Sequence, residues 1–156
     1  MKKILILGGG FAGLECAIFL KKEGIKDVTL VTNRDYFYIF PTSIWIPTGE
    51  SKFEDMCVDM KELSKVHNFE LIIDDVKEIK SKDRSVICEN QTFKYEYLVV
   101  AMGSGKMKHK GSENFLSICG KPEDSLKIKD RIDELIKKVV EKLQWDLVGI
   151  QKILVM

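Results

Sequence analysis

Residues Ile4 to Leu7 form an unbroken apolar run that meets glycine at once, which predicts a short strand buried on both faces of a parallel sheet. From Phe11 to Lys22 the period becomes helical. Leu14, Ala17, Ile18 and the Phe19/Leu20 pair recur at three- and four-residue spacing, Lys21, Lys22 and Glu23 form a solvated end, and Gly24 stands where a helix stops. Val28 to Val31 is a second apolar run. The three pieces make one β-α-β unit of about 30 residues, for which a right-handed crossover and a parallel strand pair are expected.

Residues 34 to 58 break that rhythm. The segment YFYIFPTSIWIP is aromatic and carries two prolines, so it reads as a long packed loop. Asp59 to Val66 predicts a short helix. Phe69 to Ile73, Val76 to Ile79, Ser85 to Cys88 and Thr92 to Lys94 are short β-rich pieces separated by polar turns, the pattern of a small antiparallel meander. Tyr97 to Ala101 is again a buried strand, closed by Gly103 and Gly105. From Ser125 onward Ile128, Ile132, Leu135/Ile136, Val139 and Leu143 lie on one helical stripe. The fold class that follows is α/β: a Rossmann-like parallel sheet of Ile4–Leu7, Val28–Val31, Phe69–Ile73 and Tyr97–Ala101, with the meander inserted before the last strand.

Composition narrows the function. With 45% hydrophobic and 31% charged residues in 156, the chain is an ordinary globular one, neither disordered nor fibrous. Its net charge of +1 supplies no global field toward nucleic acid or acidic lipid, and the KMKHK run lacks the interleaved aromatics of a nucleic-acid footprint. No nucleic-acid partner is expected. The four cysteines, Cys16, Cys57, Cys88 and Cys119, are widely spaced without a C-x-x-C pair, which fits free thiols in a reducing compartment. His67 and His109 are isolated, so no metal site is expected. Three glycines and Glu15 interrupt the first apolar run, which argues against a signal sequence or membrane span and for a soluble or peripherally attached protein.

Gly8, Gly10 and Gly13 form a G-x-G-x-x-G placed after a buried strand and at the start of a helix. There Gly8 permits the tight turn, Gly10 lets backbone approach a pyrophosphate, Gly13 lets the helix lie close on the sheet, and the helix N-terminus offers N–H donors to phosphate. Dinucleotide binding is the function this context predicts. An acid normally found about 20 residues later to hold ribose hydroxyls is missing, because the second strand ends Val31-Thr32-Asn33. Thr32 or Asn33 can bond a ribose without charge assistance, and Arg34 can reach a phosphate or an adenine face, or stand as a solvated turn residue.

The runs KKILILGGGFAGLECAIFLKK, VTLVTNRDYFYIFPTSIWIPTG, KFEDMCVDM, YEYLVVAMGS and LSIC resemble, in consistent order to about residue 138, the N-terminal part of sulfide:quinone oxidoreductases and their type II NADH dehydrogenase relatives. These are FAD-dependent enzymes of the pyridine nucleotide-disulfide oxidoreductase family. The resemblance implies FAD as cofactor, with Gly8, Gly10, Phe11, Ala12 and Gly13 at its pyrophosphate, Thr32, Asn33 and Arg34 at its adenosine, and Val76 at adenine. It places Pro41 near the isoalloxazine and gives Ala101 and Gly103 a backbone approach to the cofactor, with Met102 where the family usually has threonine. Cys119 resembles a cysteine near the flavin in some sulfide:quinone enzymes, and an inert buried thiol is the competing assignment. Implied partners are quinone and either sulfide or NADH. The implied setting is cytoplasmic, with peripheral contact to the inner membrane in full-length relatives.

Such relatives are more than twice this length, so residues 1–120 are expected to be the first segment of an FAD-binding domain and 121–156 a helical segment. After about residue 138 the resemblance stops. A permitted codon set for the tail, read from its third nucleotide, gives SGKIAMGFGGNPKD, a strand and glycine-rich turn, so a changed reading frame is one expectation. A genuine amphipathic helix from Pro122 to Leu154 is the other. The function expected on this basis is the FAD-binding part of a sulfide:quinone-type oxidoreductase, incomplete as an enzyme. The alternatives are a type II NADH:quinone oxidoreductase fragment, or a nucleotide-binding or interaction module that oligomerises through the apolar loop 36–47, exposing Ile39, Phe40, Trp45 and Ile46.

Overall fold

The structure is a computed structural model that describes residues 3–104, 110–111, 116–118 and 121–154, with side chains to residue 142. Its contacts divide the chain into two compact units, Met1–Tyr38 with Cys57–Met107, and Ile39–Met56 with Lys108–Met156.

The first unit is built on four parallel strands in the order β5-β2-β1-β9. These are β1 (Ile4–Leu7), β2 (Val28–Thr32), β5 (Glu70–Ile73) and β9 (Tyr97–Val100). The register is continuous, with Ile6 beside Leu30 and Val99, and Val31 beside Ile72. All four expected strands therefore lie in one parallel sheet, and β1 is buried throughout. Period-two alternation sends its residues to two different cores. Ile4 and Ile6 pack with Leu14 and Ala17 of α1 (Phe11–Lys22) and with Met60 of α3 (Met60–His67). Leu5 and Leu7 pack on the other face with Val31, Val86 and Cys88. The last two belong to the antiparallel meander β6 (Val76–Lys80), β7 (Ser85–Cys88) and β8 (Thr92–Lys94), which covers that face.

Residues 34–58 are not the single packed loop that their aromatics and prolines suggest. Strand β3 (Tyr36–Tyr38) pairs antiparallel with β4 (Cys57–Asp59), Tyr36 opposite Asp59. This pairing joins residues 19 to 23 apart and leaves no local periodicity to read. Asp59 also caps α3, its carboxylate accepting from the backbone N–H groups of Lys61 at 2.6 Å and Glu62 at 3.1 Å.

In the second unit Pro41 sits in a 3-10 turn (Phe40–Thr42), followed by the short α2 (Trp45–Thr48), which Gly49 ends at φ +79°. Helix α4 runs from Asp124 to Leu154, so its backbone stays helical through residue 138. It packs on α2. The exposure expected of the loop is corrected: Ile46 is buried and Ile39 and Phe40 are half-buried, while Ile44 and Trp45 are exposed. Among the described residues no helix is long and apolar enough to cross a membrane.

Candidate nucleotide site

Within the first unit the carboxyl ends of the parallel strands open into a cleft of about 670 Å³. Strand order fixes its layout. Asp74, Asp75 and Val76 follow β5, Thr32 ends β2 and Asn33 and Arg34 follow it, Gly8 to Gly10 follow β1, and Ala101 to Gly103 follow β9. Three inter-strand steps of about 4.8 Å make the row about 14 Å long. The polar groups gather at the β5/β2 end, and Val100 and Met102 lie at the other. Because β2 and β9 flank β1 on opposite sides, the glycine turn stands where chain connections diverge, the place where open α/β sheets bind ligands.

The glycine turn is shaped by two close approaches. Gly8 has φ +106°, and a side chain there would overlap the backbone carbonyl of Ala101. A side chain on Gly13 would overlap the carbonyl oxygen of Gly8, so this glycine sets the distance between α1 and the turn. It lies behind the cleft rather than in its wall. Gly10 differs, since nothing stands within 4 Å of where its Cβ would be. It is the N-cap of α1, no side chain caps that end, and no acid sits in the first turn. The donors of the first turn are left for an anion.

Thr32 is buried and its hydroxyl accepts from the Arg34 N–H at 3.5 Å. Its Oγ1 would also be 2.6 Å from a side chain on Gly9, so Thr32 buttresses the turn. The Arg34 guanidinium lies over the Tyr36 ring, 5.6 Å from its centre, and Phe11 meets Phe37 edge to face at 4.8 Å.

Asp74 and Asp75 were not foreseen as site residues. Asp74 is buried, and its carboxylate accepts from the N–H of Asp75 (2.8 Å), the N–H of Asn90 (3.2 Å) and Asn90 Nδ2 (3.0 Å). The sequence signal was an acidic pair ending a parallel strand, but only the sheet order shows that β5 neighbours β2. Buried Cys88 lies beneath this end, and burial, with the Asp74 and Asp75 charges behind it, pushes its thiol up. Burial also raises the Cys16 thiol.

Of the residues singled out from the sequence, Gly8, Gly10, Phe11, Ala12, Thr32, Asn33, Arg34, Val76, Ala101 and Gly103 converge on this cleft. Pro41 belongs to the second unit. Cys119 and His109 lie outside the described residues. Among the described residues no group of three His, Cys, Asp or Glu is arranged to hold a metal ion.

A parallel sheet with a glycine turn and an uncapped helix at its divergence point defines a Rossmann-like dinucleotide-binding fold. Residues 2–147 match the model of one family within that class, described as pyridine nucleotide-disulphide oxidoreductase. The chain belongs to this family, whose members are FAD-binding flavoproteins. It is 30% identical over 139 residues to a sulfide-quinone reductase of Aquifex aeolicus, covering 86% of this chain and 32% of that protein. It is 28% identical over 108 residues to a type II NADH:quinone oxidoreductase of Staphylococcus epidermidis, covering 65% of this chain and 26% of the relative. The crystal structure of the sulfide:quinone oxidoreductase from Aquifex aeolicus superposes with a TM-score of 0.80 at 28% identity, over 88% of this chain and 33% of that one. The chain thus spans about a quarter to a third of the length of these relatives.

Proposed function

We propose that this chain is the first FAD-binding segment of a flavin-dependent quinone oxidoreductase of the sulfide:quinone kind. The observation that carries the proposal is the uncapped N-terminus of α1 opening beside Gly10 into the cleft. In this reading the N–H groups at Gly10, Phe11 and Ala12 take the pyrophosphate, and Asn33, Arg34 and Val76 take the adenosine while Thr32 holds the turn beneath it. Ala101 and Gly103 bring backbone toward the flavin half. Bound FAD supplies the electron transfer between donor and quinone, and the chain's own task is to bind and orient it.

Sulfide is favoured as donor because the match to the sulfide-quinone reductase extends over 139 residues, against 108 for the NADH:quinone relative. Anaerobic titration of the FAD-loaded chain with sulfide and with NADH tests this choice. Bleaching of the flavin by sulfide alone supports it, and bleaching by NADH alone assigns the chain to the other branch.

A further inference from the structure

The missing acid at the end of β2 leaves the ribose end of the cleft without the carboxylate that such sites normally use. The neighbouring strand supplies two, and they are not equivalent. The Asp74 carboxylate is consumed by the bonds from Asp75 and Asn90. Its own N–H donates to the Thr32 carbonyl at 2.9 Å, which ties the end of β5 to the end of β2. Asp75 is therefore held on both sides, its N–H by Asp74 and its carbonyl by the N–H of Glu89 at 2.9 Å. Its carboxylate accepts no hydrogen bond among the described residues, it is exposed, and it lines the cleft. Lys77, two residues on, is paired with Glu89.

We propose that Asp75 supplies the carboxylate that accepts hydrogen bonds from the ribose hydroxyls of an adenine nucleotide in this cleft, taking over from β5 the role that the end of β2 lacks. The proposal rests on reading the cleft as a dinucleotide site. Asp74 and Asn90 act as positioning residues that fix the Asp75 backbone. A carboxylate accepting from hydroxyls makes a charge-assisted bond, stronger than Asn33 or Thr32 can offer.

Calorimetric titration of the whole chain with ADP and with 2′,3′-dideoxy-ADP tests it, using the native protein, Asp75→Ala and Asp75→Asn. The native chain is expected to prefer ADP by about 10- to 100-fold, the range of a charged hydrogen bond. Asp75→Ala removes that preference by weakening ADP alone, with dideoxy-ADP unchanged or tighter because a negative charge near its phosphates is gone. Asp75→Asn keeps an acceptor oxygen and falls between. Equal weakening of both ligands by Asp75→Ala, or no weakening of either, overturns the proposal. A native chain that prefers ADP in this Asp75-dependent way yet retains no FAD upholds the ribose assignment and removes the FAD reading. A native chain that binds neither nucleotide removes both.

Discussion

The Gly8 carbonyl oxygen occupies the place that a side chain on Gly13 would need. Helix α1 can therefore approach the turn only because residue 13 has no Cβ. Gly13→Ala is expected to destabilise the first unit by about 1–3 kcal/mol, as overpacking against backbone does, and to weaken nucleotide binding with it. Denaturant unfolding followed by circular dichroism checks this, and an unchanged midpoint contradicts it.

Gly10→Ala should separate what Gly13→Ala couples. Its Cβ would enter open space, so the cost is that of alanine at a helix N-cap, about 1 kcal/mol or less. The methyl group then stands where a pyrophosphate would approach. Expected is a folded protein with at least tenfold weaker ADP binding by calorimetry.

Asp74→Ala removes three hydrogen bonds to one buried carboxylate and unties the β5 end from Asn90. A loss of about 2–4 kcal/mol of stability is expected, with Asn90→Ala losing less because only its side-chain bond is at stake. Thermal unfolding of the two variants checks the order.

The Cys88 and Cys16 thiols are both raised above their ordinary value of 9.0, in each case chiefly by burial. The folded state therefore favours the protonated thiol. Stability from these groups is present below that value and falls as pH rises through it toward the higher folded values. Iodoacetamide should alkylate both thiols more slowly in the folded chain than in the unfolded one at pH 8, read by mass spectrometry.

Much of the fold was legible where local pattern and tertiary outcome agree. The unbroken apolar run Ile4–Leu7 meets glycine because β1 is covered on both faces, and the short polar-bounded runs after Val76 do form the meander. The segment from Tyr36 to Asp59 failed for the opposite reason. Its strands pair only with each other, and buried Ile46 lies in α2, whose packing partner α4 is far along the chain. The glycines of the site could be read because their G-x-G-x-x-G spacing is contained in one strand-turn-helix segment. Asp74 and Asp75 could not, since their relevance depends on β5 lying beside β2.

Whether this cleft takes FAD is read from the visible spectrum of the purified chain after incubation with FAD and desalting. Retained flavin bands at about 375 and 450 nm, close to one flavin per chain, are expected, with their loss in Gly10→Ala. A folded native chain that emerges colourless would contradict FAD binding here.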